Sequence, residues 1–376
     1  VEAKKTALYD EHIALGGKMA DFAGWMMPLW YATGQSAEHH ATRQACGLYD
    51  ICHMGEFEIR GAEALPFLNR LLTNNIEKLQ DGQAMYNFML NEGGGVVDDC
   101  ILYRYDAEYF MLVVNAGDIA GDFAWLQKHA PEGVALRDLS DEMAKIDLQG
   151  PAAPKLLAMV AGLEAVKGLK FFRFRSGVQI DGMEVLVSRT GYTGEVGFEL
   201  YTHVDNAKPL WALLLDAGKD LGCLPCGLGA RDSLRTEAGL PLYGHELQAD
   251  KPALAHPWRF AMDFETDFIG KAALEKIEAA GNDYHVHPFV MDGRRKAMPG
   301  WEVLKDGQVI GVVISGVIAP SMENKPIGFM GISVALEEDT VVQFRQPGRE
   351  ATMDGHVTVI PFVPPTSRKK LSRFLD

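Results

Sequence analysis

Two adjacent carboxylates stand inside an otherwise apolar run, Val96-Val97-Asp98-Asp99-Cys100-Ile101-Leu102-Tyr103, just after the turn Gly93-Gly94-Gly95. Successive residues of a strand face opposite sides, so one Asp points inward unless the strand lies at an edge. A buried carboxylate costs several kcal/mol unless it is partnered. Two readings follow: a carboxyl that caps backbone N–H groups at the glycine turn, or one held in a cavity to bind a ligand N–H or move a proton. A second stretch, Gly227-Leu228-Gly229-Ala230-Arg231-Asp232-Ser233-Leu234-Arg235, opens on glycines and turns helical. Its first turn carries Arg231 where a ligand can approach closely, while Asp232 and Arg235 suit a salt-bridged helix start. In a third stretch, Arg189 to Glu199, glycines 191, 194 and 197 have the wrong spacing for a dinucleotide fingerprint. It reads either as a turn-rich connection or as a contact surface exposing Tyr192, Glu195 and Glu199. Cys223-Leu224-Pro225-Cys226 is a lone pair, and zinc needs four ligands, so we expect a Pro-containing loop without metal or redox function. Cys46, Cys52 and Cys100 read as small core residues.

The elements that must position these groups can be read from periodicity. Glu56 to Gly61 alternates as a strand, and Ala64, Leu65, Leu68, Leu71 and Leu72 recur at helical spacing. Met85–Leu90, Val96–Tyr105 and Tyr109–Val114 read as strands, the last two as a hairpin, and Ile119–His129 as a helix. The same rhythm returns with a strand at Ala144–Leu148 and a helix at Ala152–Val160. Strands follow at Phe171–Ile180, Met183–Ser188 and Phe198–Tyr201, then a helix at Ala207–Leu221. Two units of similar order suggest a structural repeat, although no sequence repeat is visible. From about residue 285 helical period fades. A hairpin around Asp306-Gly307 and strands at Val341–Phe344 and His356–Val363 predict a small all-β barrel or sandwich. The first fifty residues read as helix and loop, with Phe22-Ala23-Gly24-Trp25-Met26-Met27-Pro28 an apolar loop lining core or cleft.

At 376 residues the chain predicts two or three domains. Hydrophobic residues at 47% and charged residues at 23% are close to the globular average and indicate neither disorder nor a fibrous repeat. A formal charge of -15 argues against nucleic-acid binding, which draws its affinity from phosphate neutralisation. No stretch approaches the ~20 apolar residues of a membrane span. The first residues lack an apolar signal region, and 5 cysteines are too sparse for a disulfide framework; a reducing, cytoplasmic setting is expected.

Taken in order, several of these blocks resemble the aminomethyltransferase family, the T-protein of the glycine cleavage system. They are Phe22 to Pro28, His53-Met54-Gly55-Glu56-Phe57, Gly94 to Tyr103, Ser188 to Leu200, Gly227 to Glu237 and Leu242-Tyr243-Gly244. The similarity runs from about Leu8 to Phe362. It implies an α+β, three-domain cloverleaf of two related α+β domains and a C-terminal β-barrel, with tetrahydrofolate in the central cavity. The implied domains are 1–57 joined to 141–250, 58–140, and 251–376. By the same resemblance Asp99 matches the catalytic carboxylate, and Met54, Tyr86, Val113 and Asn115 line the folate cavity. Tyr192, Glu199 and Arg231 match folate contacts, and Trp258 and Arg368 align with further ones in more loosely matching segments. Cys52 stands where the family commonly has Ser, and Lys251 to Trp258 lacks an expected acidic residue. The implied reaction moves the aminomethyl carbon from the lipoyl arm of H-protein to tetrahydrofolate with release of ammonia. The family also holds folate-dependent demethylases of small methylated substrates, and a non-catalytic folate binder is the reading of another class; retention of Asp99, Tyr192 and Arg231 speaks against that last one.

Overall fold

The computed structural model describes residues 2–255 and 257–375. The alternating run at Gly55–Arg60 is a strand that buries Phe57 and Ile59. Helix Ala64–Leu71 follows, then strands Gln83–Leu90, Val96–Arg104 and Tyr109–Val114, helix Ile119–His129 and strand Ala135–Asp138. Numbered within this unit, the five strands lie side by side in the order 2-3-4-1-5. The helices cover one face, where Phe57, Leu68, Leu102, Leu112 and Leu126 share a core.

A second unit has the same succession. Strand Met143–Gln149 and helix Ala153–Ala161 lead into strands Phe174–Ile180, Met183–Ser188 and Gly197–His203. Helix Ala207–Gly218 and strand Cys223–Pro225 complete it. Its order is again 2-3-4-1-5, with strand Cys46–Asp50 inserted between the first and the fifth. The repeat expected from rhythm alone is therefore a repeat of topology. A third body is a closed six-stranded barrel of His285–Met291, Lys325–Ile332, Gln308–Ala319, Glu302–Lys305, Val341–Arg345 and Thr352–Val357. Asp306 and Gly307 both take positive φ, as a two-residue hairpin turn that follows strand twist requires. Closure leaves the barrel without an unpaired edge. The chain is thus an α+β protein of two related sheets and a barrel. Among the described residues no helix is long and apolar enough to cross a membrane.

Three expectations need correction. The first fifty residues are not only helix and loop. Strands Lys18–Phe22 and Trp25–Trp30 pair around the positive-φ turn Ala23-Gly24, so the apolar "loop" is mostly hairpin. Aromatic and sulfur-bearing side chains fit a pleated, half-buried surface, which outweighs Pro28 as a breaker. The strand expected at His356–Val363 lies at Thr352–Val357 instead, and Pro361, which cannot donate to a ladder, falls in the irregular segment beyond it. Phe171 to Arg173 precede their strand, and Phe172 has positive φ.

One buried polar cluster ties the second unit to the barrel side. Glu237, the last residue of helix Leu228–Glu237, accepts from Arg43 Nη2 at 2.8 Å and from the backbone N–H of Ser321 at 2.9 Å. Arg43 also binds Glu195 at 2.8 Å, and the Thr366 hydroxyl donates to Glu195. His39 Nε2 lies 3.3 Å from Glu237. Burial holds His39 below its ordinary value, and Arg43 adds a second cation beside Glu237.

Candidate functional site

Residues directly opposite in an antiparallel pair share a face of the sheet. One row across the first sheet therefore runs Tyr86, Ile101, Val113, Glu56, on the face away from its helices. Asp99 and Tyr103 share that face, two residues either side of Ile101 along the same strand. Across the second sheet one row runs Tyr49, Asp147, Glu199, Ser188, and the next Lys145, Tyr201, Leu186. The two sheets meet through these rows. The Tyr103 hydroxyl reaches Ser188 Oγ at 3.1 Å, Tyr201 at 3.0 Å and Glu199 Oε2 at 3.3 Å. At ~3.3 Å per residue, Asp99 lies roughly 13 Å along the strand from Tyr103, so the strand joins two polar clusters.

The first cluster centres on Asp99. Tyr86 donates to its Oδ2 at 2.8 Å, and Asn115 Nδ2 donates to its Oδ1 at 2.8 Å. Burial, followed by the neighbouring Asp98 charge, pushes Asp99 up to about 7. Asp98 faces the other side and is 1% exposed, while Asp99 is part-exposed. Asp98 is nonetheless no bystander, since Asn115 donates to it from both its backbone N–H and its side chain, each at 2.8 Å. Phe260 stands 67% exposed with its ring 6.1 Å from that of Tyr86.

The second cluster centres on Glu199. It accepts from Thr190 at 2.7 Å and Tyr201 at 3.0 Å, with Lys145 Nζ 3.7 Å away. Burial works to raise its carboxyl, but the Lys145 charge and the Thr190 bond outweigh it and hold Glu199 below its ordinary value. Lys145 also points its ammonium at Met54 Sδ, 3.4 Å away. Arg231 Nη1 binds Asp147 at 2.7 Å and lies over the Tyr192 ring at 4.8 Å. Burial leaves Asp147 at about 6 despite Arg231. The Tyr192 hydroxyl donates to the Pro241 carbonyl.

Of the residues singled out from sequence, Tyr86 and Asn115 both hold Asp99. Met54, Glu199, Arg231 and Tyr192 gather around Lys145 and Asp147, and Val113 lies between the sheets. Two stand apart. Trp258 is packed in the core with Phe88 and Phe329, and its indole N–H donates to Gly239 O at 2.7 Å. Arg368 lies on the exposed tail over the Phe171 ring. Glu195 and Glu199, expected to be exposed, are buried, because Arg43 and Lys145 supply charge that water would otherwise supply. Lys145, Asp147 and Tyr103 were missed. Their signal was present: Lys145 and Asp147 alternate with Ala144, Ile146 and Leu148, and Tyr103 is four residues from Asp99.

The remaining candidates lead elsewhere. A cavity of about 490 Å³ between Phe67, Arg70, His129 and Asp267 contains none of these groups. Among the described residues no group of three His, Cys, Asp or Glu is placed to hold a metal. Cys223–Pro225 is not a loop but a short strand parallel to Cys46–Leu48. Burial pushes the Cys226 thiol well up, and its sulfur donates to the Leu224 carbonyl at 3.3 Å. A thiol held neutral neither attacks nor ligates readily. Serine at both Cys223 and Cys226 is therefore expected to lower the melting temperature while leaving activity of the folded protein nearly unchanged. Stoichiometric zinc by elemental analysis, or activity that follows thiol oxidation, would overturn this.

Comparison with known proteins points one way. Residues 8–266 match the family described as GCVT N-terminal domain. An aminomethyltransferase of Halalkalibacterium halodurans is 45% identical over 323 residues, covering 86% of this chain and 88% of that protein. One of Chlorobium limicola is 42% identical over 371 residues, 96% of this chain and 99% of the other. The crystal structure of glycine cleavage system aminomethyltransferase T from Bartonella henselae superposes with a TM-score of 0.89 at 34% identity, over 97% of this chain and 99% of that one.

Proposed function

The chain belongs to the glycine cleavage T-protein family of aminomethyltransferases, and from that premise we propose that the space between its two sheets binds tetrahydrofolate, with Asp99 acting on the nitrogen that receives the aminomethyl carbon. The observation that carries this reading is Asp99 itself: a part-exposed carboxyl, fixed by Tyr86 and Asn115, on a strand whose other end reaches buried Glu199. The donor set suits the ligand. A reduced pterin presents N–H donors, and Glu199 is an anionic acceptor held by Lys145. When bound, tetrahydrofolate supplies the nitrogens that accept the one-carbon unit. Asp99 stabilises positive charge on the attacking nitrogen or takes its proton. A hydrogen bond to a charged group is worth ~1.5–3 kcal/mol. A group titrating near 7 is available in both forms at neutral pH, as proton transfer favours. Arg231, clamped by Asp147, and Tyr192 form one wall with Met54 and Val113. Trp258 braces the opposite wall behind Phe88, and Arg368 offers a cation to the carboxylates of the folate tail. In this reading the bodies divide as 1–57 with 141–250, 58–140, and 251–376.

The donor partner in this proposal is lipoyl-bearing H-protein in a cytoplasmic setting. Incubation with tetrahydrofolate and aminomethylated H-protein should yield ammonia and methylenetetrahydrofolate. Methyltetrahydrofolate formed from a small methyl donor without H-protein would replace the reading with a demethylase, and folate binding without turnover would leave only a binder. The exposed tail Arg368-Lys369-Lys370 is basic on a chain of net charge -15, and its backbone is pinned by Arg189, which donates to the carbonyls of Ser367 and Lys369. Replacing Lys369 and Lys370 by Glu should therefore preserve the fold. Association with an acidic H-protein should slow and lose its salt dependence, because exposed charges are screened beyond ~8–10 Å at physiological ionic strength. Unchanged association rates at low salt would remove the tail from docking.

A further inference from the structure

The neighbour of Asp99 has more to do than fold the strand. Asp98 spends both carboxyl oxygens on one residue: Oδ2 accepts from the Asn115 backbone N–H and Oδ1 from Asn115 Nδ2, each at 2.8 Å. The same Nδ2 donates to Asp99 Oδ1 at 2.8 Å and lies 3.0 Å from the Asp99 carbonyl. Asn115 is thereby turned with its amide nitrogen between the two aspartates. Behind Asp98, the side chain of Asp122 on helix Ile119–His129 is buried and within reach of its charge. Two facing carboxyls cannot both ionise in such a place. Burial, then the Asp98 charge, lifts Asp122 to about 10, so it carries the proton, and Asp98 carries the charge. We propose that Asp98 is a positioning residue that orients Asp99 through Asn115 and sets the protonation of Asp99 by its own charge.

The other groups facing Asp99 are accounted for. Tyr86 donates from the adjacent strand, and Tyr192 and Tyr243 bring phenols from the loops before Glu199 and after helix Leu228–Glu237. Asp118 caps the helix beside Asp122, donating no charge of opposite sign, and Cys100 follows on the strand with its thiol pushed up by burial. Arg235 and Arg231 are the cations that bear on Tyr192, and they are engaged by Glu246 and Asp147. Asp98 is therefore the anion, and Asn115 the donor, through which the protein moves Asp99 in opposite directions.

This inference rests on the reading of Asp99 as the reacting carboxyl, but its test does not require turnover. In the full-length protein labelled with carboxyl-13C aspartate, the Asp99 resonance is assigned by its loss in Asp99→Asn and followed against pH. Asp98→Asn removes a like charge and should lower the Asp99 midpoint by about one pH unit, while Asn115→Ala removes a donor and should raise it by a similar amount. The acid limb of kcat should move with each midpoint. A purely structural role would lower stability without shifts of opposite sign. Midpoints that overlay the wild type, or that move the same way in both variants, overturn the proposal. If Asp98→Asn does not fold, Asn115→Ala decides alone: an upward shift supports it and none overturns it. Absence of wild-type turnover would count against the proposed function and leave this titration as informative as before.

Discussion

Asp99→Asn is expected to leave the fold intact and to lose ~10²-fold or more in turnover, the range typical of a positioned acid–base group. Asparagine has the same shape. Its oxygen can still accept from Asn115 Nδ2, and its amide can donate to Tyr86, so both existing hydrogen bonds survive in altered form. What disappears is the charge. The wild-type rate with tetrahydrofolate and aminomethylated H-protein should climb as pH rises through about 7, where Asp99 ionises, and the variant should show no such limb. Steady-state rates over pH 5.5–8.5 (roughly three units bracketing the midpoint), with thermal melts as the fold control, make the comparison. A variant within about threefold of wild type would take Asp99 out of the chemistry, since a positioned acid–base group contributes far more.

Glu237→Gln should cost about 3 kcal/mol of stability at pH 7, the scale expected when one partner of a buried pair is removed. Burial works to raise the Glu237 carboxyl, yet the hydrogen bond and charge of His39, the Arg43 charge and the Ser321 side chain outweigh it and hold it down at about 2. A carboxyl depressed from 4.5 to about 2 contributes stability fully above its unfolded value and loses it as pH falls from 4.5 toward 2. Urea titrations should therefore show a gap between wild type and variant that is full at pH 7 and shrinks between about pH 4.5 and 2. A gap that stays constant across that window would mean that the Glu237 charge is not what holds the helix, the barrel turn at Ser321 and Arg43 together.

The amino-acid sequence determines a good deal locally. Helix Ile119–His129, strand Met183–Ser188 and the Asp306-Gly307 hairpin are legible because period, turn chemistry and length agree within a few residues of one another. Asp98-Asp99 in an apolar strand announces an unusual carboxyl because alternation alone forces one of them inward. The apolar hairpin at 18–30 is hidden because Gly24 and Pro28 carry the signal of a loop, and only pairing with a partner strand overrides it. The burial of Glu195 and Glu199 is hidden for a similar reason. A carboxylate can leave water only where a cation waits, and their cations, Arg43 and Lys145, come from 152 and 54 positions away. The pairing of Arg231 with Asp147 and the placing of Asn115 between two aspartates likewise depend on register between strands and on packing between sheets. Residue type and local spacing decide which groups are able to do chemistry; which of them meet, and in what charge state, is decided by tertiary contacts that bring distant partners into a medium where water no longer screens them.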